Sequence, residues 1–410
     1  MSDKRLLPDW LSNYIELTSE LEAKEQLHLW TGLCLLSSVV RRRIYLDMKY
    51  GHVFPNMYVI IVAESGKARK STAIDFGHDL LMEALPDINV MYDSMTSQAL
   101  VASLNHTTTD SKKNEKMVSD VTIFADEIAN LFSYDRTRAA FMTIFLTRTY
   151  TCPAVYGDNT IKRGKLKLQN LYPVVIGATD PRNLKVFPPE AVTGLTGRLI
   201  WIIESERRKN DPGWKEENSP ITTRQTLLRE MLITDLSHIA TLEGVMTATN
   251  DCKEFYDDWY ADLSKRNTKD PDTDAFYHRC HVTALRIGIL LSISESDELI
   301  LTLPHMKRAI DLIEAQPAMA KRAAVWSGSG EYEVQRAKAI DFLQKSGGLT
   351  TQKKLLKYMG VTVDDYAKII ATLVHDGTIE KPSNPIGGEI AITLTKEGFG
   401  RTVTLPEEKK

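Results

Sequence analysis

Short apolar runs alternate with amphipathic segments along residues 51–206. The runs MYVIIVA, INVMYDS, VTIFADE, YPVVIGATD and GRLIWIIE have the length and composition of strands, whereas AIDFGHDLLMEAL, SQALVASLNH and AAFMTIFLTRTY have helical periodicity. Parallel strands buried on both faces are nearly continuous in apolar residues, and they are joined by helices that cover those faces. The pattern therefore predicts an α/β fold with a largely parallel sheet.

The regions that flank this core follow other patterns. Residues 1–50 are predicted to form two packed helices, and residues 207–326 to be mainly helical. The sequence SGSGE at Ser327–Glu331 has the composition of a linker. Three helical segments and two β-like runs follow it over residues 332–402, which is the element order of a winged helix.

Composition narrows the class of protein but does not identify it. The chain has 410 residues and a formal net charge of −3, which argues against a globally basic nucleic-acid-binding surface. Four cysteines without a C-x-x-C pair indicate neither a disulfide framework nor a zinc ribbon. No apolar run approaches the roughly 18 residues that span a bilayer. We therefore expect a cytoplasmic protein with no membrane partner.

The segment that follows MYVIIVA has features of a phosphate-binding loop. It reads ESGKARKST and contains Lys70-Ser71, the pair that closes the motif G-x-x-x-x-G-K-[ST]. Counting back places Glu64, or Ala63 in a longer loop, at the first glycine position and Arg69 at the second. The predicted nucleotide-binding residues are Ser65, Gly66, Lys67, Ala68, Arg69, Lys70, Ser71 and Thr72.

An acidic pair ends a later strand. Asp126 and Glu127 close the run VTIFADE, as in ATPases where the aspartate holds Mg²⁺ and the glutamate polarises the attacking water. Such a pair is otherwise a set of surface carboxylates flanking a turn. Its occurrence downstream of Lys70-Ser71 favours ATP hydrolysis, with ATP and Mg²⁺ as cofactors and Ser71 and Asp126 as metal ligands.

Further polar residues could act on the same nucleotide. Thr179 or Asp180, at the end of YPVVIGATD, could sense the γ-phosphate, although Thr-Asp-Pro is equally typical of a turn. Arg198 precedes a predicted strand and could be an arginine finger or a solvated charge. Arg279 and Arg286 are candidates for a second phosphate sensor on a helix.

Taken together, LHLWTGLCLLSSVVRRRIYLDM, VFPNMYVIIVAESGKARKSTAI, VTIFADEIANLF, VVIGATDP and GLTGR resemble phage and prophage P-loop ATPases that serve as replicative helicases or primase-associated proteins. The resemblance covers roughly residues 9–300. In that family the loop commonly reads Gly-Pro-Ser-Gly before Arg-Lys and Ser or Thr, so Arg69 matches it while Ala63 and Glu64 depart from it. The resemblance implies a P-loop NTPase core of the AAA+/RecA-like type, assembled as a hexamer or another ring in which Arg198 acts on a neighbour's ATP.

The basic segment between the acidic pair and the sensor strand is predicted to be a hairpin. It carries Lys162, Arg163, Lys165 and Lys167. In helicases similar to this family, a hairpin at this chain position grips the DNA backbone; without that context the segment is equally typical of a solvated turn. The winged helix is ambiguous, because Asp364, Asp365 and Asp376 disfavour groove binding whereas Lys353, Lys354 and Lys357 favour backbone contact.

The sequence thus predicts an ATP-driven motor on single-stranded or forked DNA, with a primase or initiator protein as a further partner. Its predicted domains are an N-terminal helical collar (1–50), a P-loop ATPase core (51–206), a helical lid (207–326) and a winged-helix domain (332–402). A helicase loader or a DNA-packaging motor would need the same residues. The altered glycines leave open a non-hydrolysing DNA-binding or regulatory scaffold.

Overall fold

The computed structural model describes residues 5–104, 106–109, 115–133, 136–160, 164–187, 195–211, 220–263, 265–266, 271–326, 331–375, 377–381 and 390–395. The helices are α1 (Trp10–Thr18), α2 (Glu25–Val40), α3 (Lys70–Ala84), α4 (Ser97–Ser103), α5 (Asn130–Ser133), α6 (Arg136–Thr149), α7 (Pro220–Ile239), α8 (Asn250–Leu263), α9 (Pro271–Glu295), α10 (Leu303–Glu314), α11 (Gln316–Trp326), α12 (Glu331–Lys345), α13 (Gln352–Met359) and α14 (Val363–His375). Two 3₁₀ helices span Pro181–Val186 and Thr196–Arg198.

The strands are β1 (Ile44–Met48), β2 (Gly51–Val53), β3 (Tyr58–Val62), β4 (Val90–Tyr92), β5 (His106–Thr109), β6 (Glu115–Ala125), β7 (Val155–Thr160), β8 (Gly164–Gln169), β9 (Leu171–Thr179), β10 (Ile200–Ile203), β11 (Gly244–Ala248), β12 (Ile300–Leu301), β13 (Leu349–Thr351), β14 (Ile379–Glu380) and β15 (Ala391–Leu394). The chain forms two compact units, Met1–Ala323 and Ala324–Lys410. The finer domain boundaries predicted inside the first unit remain predictions.

The largest sheet lies in the first unit and has the order β10-β3-β9-β6-β4, with β5 paired to β6. All neighbours along this path are parallel, and only β5 is antiparallel to its partner. Every residue of β3 and β9 is buried, as expected for central parallel strands covered on both faces. The predicted α/β class with a parallel sheet is therefore confirmed.

The helix α2 holds the N-terminal segment against this sheet. It is buried almost throughout from Leu27 to Val40 and packs on α1, α3, α9 and β9. Its approach to α3 is close, since a Cβ atom on Gly77 would lie 2.5 Å from Cγ2 of Thr31. A glycine at this position lets the two helices pack without a clash.

A second sheet in the same unit has the order β12-β11-β1-β2. β1 pairs in parallel with β11, so Ile44 lies opposite Gly244. The strands β11 and β12 lie in the region predicted to be mainly helical, and they were not predicted. Strands of five and two residues, as here, have too few positions to display a clear period.

The second unit, described by itself, contains α12, α13 and α14 with an antiparallel sheet of order β13-β15-β14. Its three predicted helices are confirmed, and the two predicted β-like runs contain β14 and β15. The strand β13 is additional, since Thr350 and Thr351 within it were predicted as the start of a helix. In the described part of the chain, no helix is long and apolar enough to cross a membrane.

Candidate functional site

The polar residues predicted from the sequence gather at one edge of the large sheet. Because β3, β9, β6 and β4 are parallel, their carboxyl ends lie at the same edge. This edge carries the loop 63–69 after β3, Thr179 at the end of β9, and Asp126-Glu127 after β6. The strand order also switches here, because β9 lies on one side of β3 and the next strand in the chain, β10, lies on the other. Ligands of open α/β sheets bind at such a crevice.

The loop between β3 and α3 forms a compact turn. Its first residue, Ala63, donates its backbone N–H to the Thr179 carbonyl at 3.1 Å, which ties the loop to β9. Gly66 has φ +75°, a conformation that favours glycine. The Lys70 Nζ atom donates to the Ala63 carbonyl at 2.9 Å, so the ammonium group folds over the loop. Lys70 and Ser71 form the first turn of α3, where backbone N–H groups favour an anion.

Arg69 occupies the second glycine position in a left-handed conformation, with φ 56° and ψ 37°. A side chain in that conformation costs roughly 1–2 kcal/mol. The Arg69 Nε atom donates to Glu22 at 2.6 Å, and Glu22 also accepts from Arg207 at 3.1 Å. The hydrogen bond to Glu22 holds the Arg69 side chain in place. The backbone N–H of Asp211 contributes most to lowering the pKa of Glu22, and the hydrogen bond from Arg69 lowers it further.

Glu64, at the first glycine position, does not leave an uncompensated charge in the loop. Its carboxylate lies 2.5 Å from Lys67 Nζ, and both side chains are exposed. The backbone N–H of Lys67 also donates to the Glu64 carbonyl at 3.3 Å, which closes the turn around Gly66. The negative charge that the sequence placed near phosphate is therefore partnered within the loop.

Asp126 is exposed at the end of β6. Burial and then the Asp126 carboxylate raise the pKa of Asp75, which lies on α3 one turn beyond Ser71. Two carboxylates that repel each other favour a cation beside them. Within the described ranges, no group of three or more His, Cys, Asp or Glu residues could hold a metal ion, so a cation on Ser71 and Asp126 would need further ligands.

The Glu127 carboxylate is held by several donors. Thr179 Oγ1 donates to Oε1 at 2.5 Å, and Asn183 Nδ2 donates to Oε2 at 2.7 Å. The Glu127 backbone N–H donates to Asp93, which follows β4, at 3.2 Å. The structure thus brings the predicted residues Glu127 and Thr179 into contact. Asp93 and Asn183 were missed, although Asp93 gave the same signal as Asp126, a carboxylate that ends an apolar strand.

Asp180 joins the sensor strand to the loop. Its carboxylate accepts from the Ser65 backbone N–H at 3.1 Å and from two guanidinium nitrogens of Arg182 at 2.8 and 2.9 Å. The Arg182 hydrogen bonds hold the pKa of Asp180 well below its usual range. Thr179 and Asp180 were alternatives for one role, and they have different partners: Thr179 contacts Glu127, and Asp180 contacts the loop.

Arg198 lies at the opposite edge of the sheet, just before β10 begins, where Ile200 pairs with Val59. It is half-buried, with Cζ 5.9 Å from the centre of the Tyr150 ring. Burial and then the neighbouring charge of Arg279 lower the pKa of Arg198. The structure therefore groups Arg198 and Arg279 with each other and away from Lys70 of the same chain.

Arg286, predicted as a phosphate sensor, has a different position. It is 3% exposed, and its guanidinium group donates to the Asn56 carbonyl at 3.0 Å and to the Tyr150 carbonyl at 2.7 Å. Both carbonyls lie near the amino edge, since Asn56 precedes β3. A buried cation already bonded to backbone carbonyls supports the local fold, so we do not retain Arg286 as a phosphate sensor.

The predicted basic hairpin exists as β7 and β8, an antiparallel pair that enters β9 at its amino end. Lys162 and Arg163 lie outside the described residues. Lys165 and Lys167 belong to β8, and only their backbone is described. The hairpin is confirmed, and its contact with DNA remains a prediction.

Comparisons with known proteins leave the site to be interpreted from its own residues. A search against protein-family models and against curated proteins finds no match for the chain. The resemblance to phage P-loop ATPases therefore remains an expectation from the sequence.

Proposed function

We propose that the chain is a cytoplasmic ATP-dependent DNA motor, in its most specific form a ring-forming replicative helicase of a phage or mobile element. One observation carries this proposal: a tight loop that leads into a helix N-terminus, the Asp126-Glu127 pair and Thr179 converge at one edge of a parallel sheet. Phosphate groups bind at helix N-termini that follow a strand and a tight loop. The acidic pair beside such a loop supports phosphoryl transfer to water.

The residues at this edge fit ATP with Mg²⁺. The loop N–H groups and Lys70 would hold the phosphates, and Ser71 and Asp126 would hold the metal. Burial is the largest cause of the raised pKa of Asp75, and a cation beside Asp75 and Asp126 would relieve the repulsion from Asp126 that adds to it. When bound, Mg²⁺ neutralises charge on the phosphate oxygens.

Glu127 is the residue that would orient and polarise the attacking water. Thr179, fully buried at the end of β9, holds one carboxylate oxygen through its hydroxyl group. A carboxylate that acts as a base must be held in a defined orientation toward the proton it accepts. Thr179 would thus respond to the phosphate through Glu127, which is the role proposed for a sensor.

A ring assembly is supported by where Arg198 lies. Within one chain it is at the amino edge of the sheet, whereas the phosphate loop is at the carboxyl edge. An arginine finger at this position would act on the nucleotide of a neighbouring copy, as in a hexamer. The hairpin β7–β8 also leaves the amino edge, where it would bind single-stranded or forked DNA in the channel of that ring. A primase or an initiator protein would be the further partner.

The altered loop favours one alternative. Arg69 in a left-handed conformation and the Glu64–Lys67 pair replace the usual glycines. Both features would reduce the space for phosphate oxygens, which favours a scaffold that binds DNA without hydrolysing ATP. ATP turnover distinguishes the motor from the scaffold, and strand displacement on a forked duplex distinguishes a helicase from a loader.

Binding of a fluorescent ATP analogue to Lys70→Ala tests the nucleotide site. Loss of a charge-assisted contact to phosphate, worth about 1.5–3 kcal/mol, should weaken binding by roughly tenfold to a hundredfold or more. Lys67→Ala should weaken binding less than Lys70→Ala, because Ala68 follows Lys67 where a metal-binding hydroxyl is required. Wild-type affinity in Lys70→Ala would contradict the proposal.

A further inference from the structure

The Glu127 carboxylate is held on both oxygens by different elements of the fold. Oε1 accepts from Thr179 Oγ1 at 2.5 Å and from the Ala129 backbone N–H at 3.3 Å. Oε2 accepts from Asn183 Nδ2 at 2.7 Å. Donors on both oxygens fix the plane of the carboxylate. Donors on one oxygen alone would leave the whole group freer to rotate about its Cγ–Cδ bond.

Asn183 is presented by a rigid segment. It lies in the 3₁₀ helix Pro181–Val186, whose first residue is a proline with a restricted φ. Asp180 caps this helix by accepting the Arg182 backbone N–H at 3.0 Å, and the Asn183 backbone N–H donates to the Asp180 carbonyl at 2.9 Å. The next residue, Leu184, is fully buried and anchors the turn. The backbone of Asn183 is therefore held in place independently of Glu127.

An amide suits this position chemically. Asn183 donates a hydrogen bond to the carboxylate but does not titrate, so it orients Glu127 without competing for the proton that Glu127 would accept from water. A carboxyl group at the same distance would repel Glu127 and retain a proton between the two groups. This contact could not be predicted from the sequence, because Asn183 lies just after Asp180-Pro181-Arg182 and is typical of a turn residue.

We infer that Asn183 is a positioning residue for hydrolysis, which fixes the Glu127 carboxylate in the orientation that polarises the attacking water. This inference rests on the proposed function, in which Glu127 acts on water beside ATP. Asn183 belongs to the segment that continues from the sensor residue Thr179. Both side chains that hold the Glu127 carboxylate therefore come from the end of β9 and the turn after it.

The test compares Asn183→Ala and Asn183→Asp with the wild type, using kcat, KM and the affinity for a fluorescent ATP analogue. Loss of a hydrogen bond to a charged group should lower kcat of Asn183→Ala by roughly tenfold to a hundredfold, with KM and affinity changed by no more than about threefold. Asn183→Asp should also move the acidic limb of the kcat–pH profile to higher pH, because two neighbouring carboxylates retain a proton.

Asn89→Ala is the matched control. The Asn89 amide donates to the carbonyls of Ser103 at 3.0 Å and Asp120 at 2.8 Å and accepts from Ser103 Oγ at 2.6 Å, far from the site at the amino end of β4. This variant should lose stability while keeping the wild-type kcat and pH profile. A purely structural role of Asn183 would make the two alanine variants behave alike, and that result would overturn the inference.

Two outcomes separate the inference from the function on which it rests. If Glu127→Gln stops turnover but Asn183→Ala keeps the wild-type kcat and pH profile, the positioning role of Asn183 is wrong and the proposed function stands. If Glu127→Gln hydrolyses ATP like the wild type, Glu127 is not the base, and the inference is wrong together with that part of the proposed function.

Discussion

Acidification should destabilise the first unit through one buried histidine. His28 lies on α2, is 1% exposed, and its ring packs 6.4 Å from the Tyr14 ring, measured between centroids. Neither ring nitrogen has a hydrogen-bond partner among the residues that the structure describes. Burial, and to a smaller extent the charge of Arg208, lowers the pKa of His28 from 6.5 to about 4.

The sign and the size of the effect follow from this pKa. The unfolded chain binds a proton at His28 near the ordinary pKa of 6.5, whereas the folded chain resists it until about 4. Stability is therefore fully present above this window and is lost as the pH falls through it. At about 1.36 kcal/mol for each pKa unit, the loss is roughly 2 kcal/mol near pH 5 and roughly 3 kcal/mol below pH 4.

Urea unfolding followed by tryptophan fluorescence measures this loss, since Trp10 and Trp30 lie in α1 and α2. We expect His28→Leu to lose roughly 2 kcal/mol less than the wild type between about pH 7.5 and pH 5. His52→Gln, at an exposed position on β2, is the control and should keep the wild-type pH dependence. The same pH dependence in His28→Leu and in the wild type would show that His28 does not cause the loss of stability.

Other predictions concern the proposed chemistry. Glu127→Gln should bind ATP but not hydrolyse it, because the amide keeps the shape of the side chain and loses the base; turnover near the wild-type rate would contradict this. Arg198→Ala should also bind ATP without hydrolysing it. Mixing this variant with Lys70→Ala should restore some ATP turnover if the arginine acts on a neighbouring copy. No recovery of turnover at any mixing ratio would count against that role. Replacing Lys162 and Lys165 by alanine should weaken single-stranded DNA binding for all sequences and preserve basal ATPase. The log–log slope of DNA affinity against salt concentration should fall in magnitude by roughly 0.7 for each lost phosphate contact. Wild-type DNA binding in this variant would mean that the hairpin is a solvated turn.

Local signals predicted the parts of the fold that depend on local sequence. The apolar run that became β3 ends at Val62, and α3 begins at Lys70, as the phosphate-loop pattern requires. The same reasoning placed Asp126-Glu127 at a strand end. Parallel pairing then brings these residues to one edge, which the alternation of strands and helices was sufficient to predict.

Contacts between distant segments could not be predicted in this way. The segment SQALVASLNH was predicted as one helix, but α4 ends at Ser103 and β5 begins at His106 because that segment pairs with β6. In the same way, β11 is a strand because it pairs with β1, about 200 residues away. The contact of Asn183 with Glu127 and that of Arg286 with the carbonyls of Asn56 and Tyr150 depend equally on the tertiary fold.

The central claim is that the carboxyl edge of the large sheet hydrolyses ATP in response to DNA. The most direct measurement is steady-state ATP turnover by the full chain, with and without single-stranded DNA, with Lys70→Ala as the blank. We expect turnover in the wild type that rises when DNA is added and is absent in Lys70→Ala. No turnover in the wild type under either condition, or equal turnover in Lys70→Ala, would contradict it.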